Sequence, residues 1–170
     1  MSSFTLDPET HVSHVHLWVA DLDRALAFYR DLLGLRVTQD LREQPAPRRL
    51  AFLSASGYHH HVALNEVPGA SPPPPGTTGL HHFALLLPSR QELVRVARRL
   101  RDHSYPIDGI RDYGVSEVVN VRDPDGNGIE FAWDRPVEQW PRVDGGLAIF
   151  NKPLDDDLLS DPPDKAYAVA

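Results

Sequence analysis

Eight of the nine histidines in this 170-residue sequence fall in three short apolar segments. These are His11-Val-Ser-His14-Val-His16-Leu-Trp-Val, Tyr58-His59-His60-His61-Val-Ala-Leu and Leu80-His81-His82-Phe-Ala-Leu-Leu-Leu. Imidazole binds divalent metals and moves protons near neutral pH, so clustered histidines raise the question of a metal centre. β-Branched and aromatic residues make each segment a strand candidate, and the two-residue period of a strand sorts its side chains by face. His14, His16 and Trp18 then share one face, opposite Val15, Leu17 and Val19. His82 and Ala84 oppose Phe83, Leu85 and Leu87, and on a later strand Glu130 and Ala132 oppose Ile129, Phe131 and Trp133. The apolar faces must meet helices, which sends His14, His82 and Glu130 to the concave side of the sheet. Two imidazoles and one carboxylate with coordination positions left open suit non-haem Fe(II), Mn(II) or a related divalent ion. A single strand histidine is more often packed than a ligand; two at equivalent positions of a repeat, with a carboxylate on a third inward face, favour the metal. His59 and His61 fall on one side of their strand. His61, turned inward beside the metal without binding it, is the acid–base candidate, and a solvated histidine cluster at a strand start is the alternative. His11 and His103 read as surface residues.

The elements that must position these groups are written twice. A shift of 68 residues lays His14 on His82, Val15 on Phe83, Leu17 on Leu85 and Val19 on Leu87. The match runs on to Asp21 and Ser89, both good helix N-caps. An amphipathic helix follows each cap, with Leu22, Leu26, Tyr29 and Leu33 inward in the first and Leu93, Val96, Ala97 and Leu100 in the second. Gly34 is a C-cap signal. Three strands follow each helix: 35–39, 49–54 and 60–65, then 107–111, 116–122 and 128–133. Asp123-Pro-Asp-Gly-Asn-Gly128 is a hairpin turn between the last two. The proline run from Pro72 to Pro75 lies in an extended spacer. The expected class is α+β: two tandem βαβββ modules forming one curved mixed sheet around a metal-containing cavity. The expected domain spans 11–135, with module one at 11–66, the linker at 67–78 and module two at 79–135. A polar surface arm covers 136–170, docked through Leu147–Phe150 and loose after about Ser160.

Composition narrows the function. The formal net charge of −7 argues against an electrostatic grip on nucleic acid or an anionic membrane. No apolar run approaches the ~20 residues that span a bilayer. The start Met1-Ser2-Ser3-Phe4 lacks the basic and apolar regions of a secretory signal, so a cytoplasmic protein is expected. With no cysteine there is no thiol nucleophile and no disulfide framework.

Four segments carry a family resemblance: His14–Arg30, Gly57–Asn65, Pro72–Leu87 and Arg122–Phe131. The chain from His11 to about Pro153 resembles the vicinal oxygen chelate superfamily, and within it catechol 2,3-dioxygenase-like proteins. The resemblance implies paired βαβββ modules and an Fe(II) or Mn(II) ion held by His14, His82 and Glu130. It places the family's acid–base histidine on His61. A family histidine before Gly-Val-Ser and a tyrosine ten residues before the metal-binding Glu orient the catechol and steady the bound oxygen; here those positions are Tyr113 and Asn120. Glyoxalase-type members add a second Glu from the last strand of module one. No carboxylate stands near Ala63, and Glu66 is read as lying in the linker.

The leading expectation is therefore a metal-dependent extradiol dioxygenase acting on a small vicinal diol with O2, with a homodimer within what the resemblance allows. The alternatives are a metal-dependent isomerase or lyase of the glyoxalase type, and a non-enzymatic binding protein for a planar drug-like molecule.

Overall fold

The computed structural model describes residues 4–43, 49–74 and 76–154. The chain divides into two compact units, 1–71 and 72–170, at a point inside the proline-rich spacer.

The first unit runs β1 (Val15–Val19), α1 (Leu22–Leu26), a π-helical continuation (Ala27–Leu32), β2 (Arg36–Asp40), β3 (Leu50–Ser54) and β4 (Val62–Glu66). Its four-stranded sheet has the order β1-β4-β3-β2, with β1 parallel to β4 and the other pairs antiparallel. Asp21 caps α1 by accepting the Arg24 N–H at 3.0 Å. In the π segment the Leu33 N–H reaches back five residues to Phe28 O at 2.9 Å, one more than an α-helix allows. That extra residue turns the buried stripe by one position. Leu22, Leu26 and Tyr29 are buried as expected, but Leu32 takes the inward place expected of Leu33, which is only half-buried. Gly34 then closes the helix at φ +80°, a left-handed value that glycine adopts without a Cβ clash.

The second unit contains β5 (Phe83–Leu86), α2 (Arg90–Asp102), β6 (Gly109–Asp112), β7 (Ser116–Arg122) and β8 (Gly128–Asp134). The Ser89 side chain caps α2 through the Glu92 N–H. Leu93, Val94, Ala97 and Leu100 are buried, whereas Val96 sits half-buried on the flank of the stripe. Asp123 organises the β7–β8 turn: its carboxylate accepts the N–H groups of Asp125 at 2.9 Å and Asn127 at 2.8 Å. Past β8 come a 3-10 turn (Val137–Gln139), the short ribbon β9 (Arg142–Val143) and β10 (Gly146–Leu147), and β11 (Lys152–Pro153). The arm is thus partly structural. β11 pairs antiparallel with β6, giving a five-stranded sheet ordered β11-β6-β7-β8-β5. Of the expected docking segment only Phe150 packs, against Gly114 and below Lys152; Leu147 and Ile149 are exposed. The boundary expected near Ser160 lies outside the described residues.

The α+β class and the doubled βαβββ order are those expected. Among the described residues the hydrogen-bonded ladders run within each module, four strands in the first unit and five in the second. Leu17, Val19, Leu53, Val62 and Leu64 are buried in the first unit, and Val119, Val121, Ile129 and Phe131 in the second. A fully buried side chain of this kind contributes about 1.5–3 kcal/mol. These helix-facing surfaces hold the modules and leave the opposite faces free for polar side chains. Among the described residues no helix is long and apolar enough to cross a membrane.

Candidate metal centre

In the second unit the strand register brings two of the three proposed ligands together. Phe83 pairs with Ile129 in the parallel β5–β8 ladder, so His82 continues opposite Gly128. A Cβ at Gly128 would lie 3.0 Å from the His82 Cβ and collide with the His81 carbonyl, so only glycine lets the two strands close here. His82 Nε2 then stands 3.9 Å from Glu130 Oε1. On the other side of β8, Asn120 is the register partner of Glu130. His82, Asn120, Tyr113 and Arg111 line a cavity of about 220 Å³.

The donor set fits a divalent ion. Only 12% of the Glu130 side chain is exposed, and among the described residues no Lys or Arg lies within ion-pair distance of it; the group that approaches is the His82 ring. A separation of 3.9 Å is too long for a hydrogen bond, yet two metal–ligand bonds of about 2.1 Å can span it. A carboxylate removed from water without a partner is costly, and a cation shared with His82 would remove that cost. Among the described residues no three His, Asp or Glu side chains are gathered as a ready-made metal site.

His14 lies in the first unit, exposed, just before β1, with its Nδ1 2.8 Å from Ser13 Oγ. The ring that touches it is His60, at 4.4 Å between centroids, and His60 also leans on Phe52 at 4.7 Å. Burial, and after it the neighbouring imidazoles of His14, His59, His16 and His61, hold His60 below the usual histidine value. His61 instead points its Nδ1 at Ser54 Oγ, 3.0 Å away, and rests against Tyr58 at 5.4 Å. Strand alternation placed His59 and His61 together, but β4 starts only at Val62; residues 58–61 form a bend, where a period of two does not apply. Nothing in the sequence singled out His60. Thr38 Oγ1 ties the bend to β2 by donating to the His59 carbonyl at 2.7 Å.

Residues 11–131 match the model of the Glyoxalase/Bleomycin resistance protein/Dioxygenase superfamily. The chain belongs to this superfamily. The catechol-2,3-dioxygenase of Bacillus subtilis (strain 168) is 39% identical over 139 residues, 81% of this chain and 46% of that protein. Biphenyl-2,3-diol 1,2-dioxygenase 3 of Rhodococcus globerulus is 34% identical over 125 residues, 72% of this chain and 63% of that protein. The chain thus spans about half to two-thirds of the length of these two relatives. A glyoxalase/dioxygenase from Nostoc punctiforme shares the fold with a TM-score of 0.63 at 24% identity, over 80% of this chain and 100% of that one. Superfamily members bind divalent metals, manganese in some.

Within this superfamily the carboxylate of Glu66 could be mistaken for a glyoxalase-type fourth ligand, and its placement argues otherwise. Glu66 closes β4 and does not lie in the linker where the sequence reading put it. It is 8% exposed; it accepts the Leu22 N–H at 3.0 Å and ion-pairs with Arg49 at 2.7 Å, so it joins the end of β4 to the start of α1 and the start of β3. Tyr105 is likewise unavailable as a base: burial, then Asp123 and Asp108, push its phenol up to about 12, and its hydroxyl donates to Arg122 O at 2.7 Å.

Proposed function

We propose that His14, His82 and Glu130 hold a divalent metal, Fe(II) or Mn(II), and that the chain is an extradiol dioxygenase acting on a catechol-type diol with O2. The observation that carries this reading is Glu130, its side chain 12% exposed, 3.9 Å from the His82 ring and with no Lys or Arg within ion-pair distance among the described residues. The 39% identity to a catechol-2,3-dioxygenase points to the same chemistry. When bound, the metal would bring diol and O2 together and make the coordinated hydroxyl more acidic. The residues of the chain do the rest. His61 exchanges a proton with the diol, Asn120 beside Glu130 donates to an oxygen of the substrate, and Tyr113 contacts the ring from the rim of the cavity. The domain over 11–135 supplies all three ligands.

Tyr113 and Asn120 replace the histidine and tyrosine of the family pattern, and this favours one second reading: a metal-dependent isomerase or lyase that needs only Lewis-acid stabilisation of an oxyanion. Elemental analysis of anaerobically purified protein, followed by oxygen uptake with a panel of catechols, separates the two. One metal per chain with oxygen consumption supports the dioxygenase, and metal without oxygen consumption supports the alternative. A His82→Ala variant that retains the full metal content would remove His82 from the site and the proposal with it.

A further inference from the structure

The geometry points to Arg111 as an anion-binding subsite that selects a catechol with a carboxylate-bearing ring substituent. The inference rests on the dioxygenase reading for the diol, but its own evidence is separate. Residues 109 and 111 alternate to the same face of β6; Gly109 pairs with Asn120, and Asn120 pairs with Glu130, so Arg111 shares a sheet face with the proposed metal ligand. The side chain folds back along the strand, with its Nε about 3.4 Å from where a Gly109 Cβ would be. It is half-buried and lines the cavity of about 220 Å³ together with His82, Asn120 and Tyr113.

The charges around it leave it without a partner among the described residues. Asp108, in the same cavity, is taken by Arg122 at 3.1 Å. Asp112, the next residue, turns to the opposite face and is taken by Arg135 at 2.7 Å. A half-buried guanidinium that faces a cavity whose one lining carboxylate, Asp108, is already paired with Arg122 is poised for a carboxylate brought by a ligand, and its planar fork suits carboxylate geometry. Space exists for the substituent. Arg111 and Gly109 also border a second cavity of about 530 Å³, lined further by Arg101, Tyr105 and Pro153, which offers volume for a side arm next to the guanidinium. A neutral catechol would leave Arg111 unpaired.

The test is calorimetric binding to the full chain with and without Mn(II), using 3,4-dihydroxyphenylacetate, 4-methylcatechol and phenylacetate as probes. The expected results are at least about tenfold tighter binding of 3,4-dihydroxyphenylacetate than of 4-methylcatechol, and weak but measurable binding of phenylacetate that needs no metal. Arg111→Gln should abolish both the preference and the phenylacetate signal, and Arg111→Lys should restore part of each. Equal affinity for the two diols, or a preference that survives Arg111→Gln in a variant with an unchanged melt, overturns the subsite. Failure of the metal reading looks different: a carboxylate preference that depends on Arg111 while Mn(II) has no effect on either diol.

Discussion

Ser54 Oγ and His61 Nδ1 lie 3.0 Å apart, and the Ala55 N–H points at the same nitrogen from 3.3 Å. A backbone N–H can only donate, so Nδ1 is the acceptor and the proton of the neutral ring sits on Nε2. His61 is then presented as a hydrogen-bond donor at its free nitrogen. Long-range ¹⁵N–¹H correlation spectra of the metal-free protein should show an unprotonated Nδ1 and a protonated Nε2 for His61. A proton found on Nδ1 would contradict this geometry. Ser54→Ala should leave the tautomer in place, because Ala55 still donates, and cost about 1 kcal/mol of stability in urea denaturation.

Glu130→Gln separates a metal ligand from an ordinary ion pair. Gln keeps the shape and removes a charge that, among the described residues, has only the His82 ring beside it at 3.9 Å. In the metal-free protein the urea midpoint should stay the same or rise, because an uncompensated carboxylate has been neutralised. Affinity for Mn(II) should fall more than about tenfold. A clear loss of stability in the metal-free variant would mean that Glu130 is already satisfied by the protein.

Asp112 sets a pH dependence. Burial pushes its carboxyl up, but the paired hydrogen bonds of Arg135 and the Gly114 N–H outweigh this and hold it below the usual carboxylate range. Its folded-state value is thus lower than its unfolded value, so the stabilisation is fully present above the ordinary value of about 4 and is lost as pH falls through the folded value. Asp112→Asn should lower the Tm at pH 7 and flatten the decline of Tm below about pH 4. An acid limb identical to the parent's would show that the pairing contributes nothing.

Gly114, in the turn between β6 and β7, is where the arm packs against the second unit's sheet. A Cβ there would come within 2.7 Å of both Phe150 Cε1 and Pro141 Cγ, at φ +81°. Gly114→Ala should destabilise by about 1–3 kcal/mol, through left-handed strain and overpacking together. Adding Phe150→Ala removes one clash, so the double variant should lose less than the sum of the two single losses. Strict additivity would place Phe150 elsewhere in solution.

Much of this molecule is legible in the sequence, and the rest is not for reasons that can be named. The internal repeat, the caps at Asp21 and Ser89 and the turn at Asp123 are local signals, and each appears where expected. The shared face of His82 and Glu130 follows from strand period, and their approach from the parallel pairing of β5 with β8. The placement of His60 against His14 does not, because it depends on a bend whose backbone no periodicity describes. The role of Glu66 was hidden by its position at the edge of the Pro-rich spacer, two residues before Pro68, whereas its partners Leu22 and Arg49 are far away in sequence. Arg111 carried no signal, since a free guanidinium is recognised only once every neighbouring carboxylate has been assigned.

The wide turn at Ala27–Leu32 has a consequence for how this chain tolerates change in length. A π segment is an α-helix that has absorbed a surplus residue, and both flanks are already in phase with that surplus. Arg30 and Asp31 lie on its exposed side and pair with each other at 2.6 Å. Deleting Asp31 should let the segment relax to ordinary α geometry, with Phe28 and Tyr29 behind it and Leu32 ahead of it still facing the sheet. A deletion about two turns earlier, at Arg24, falls in ordinary α-helix and would rotate the buried Ala25 and Leu26 away from the core before the π segment could compensate.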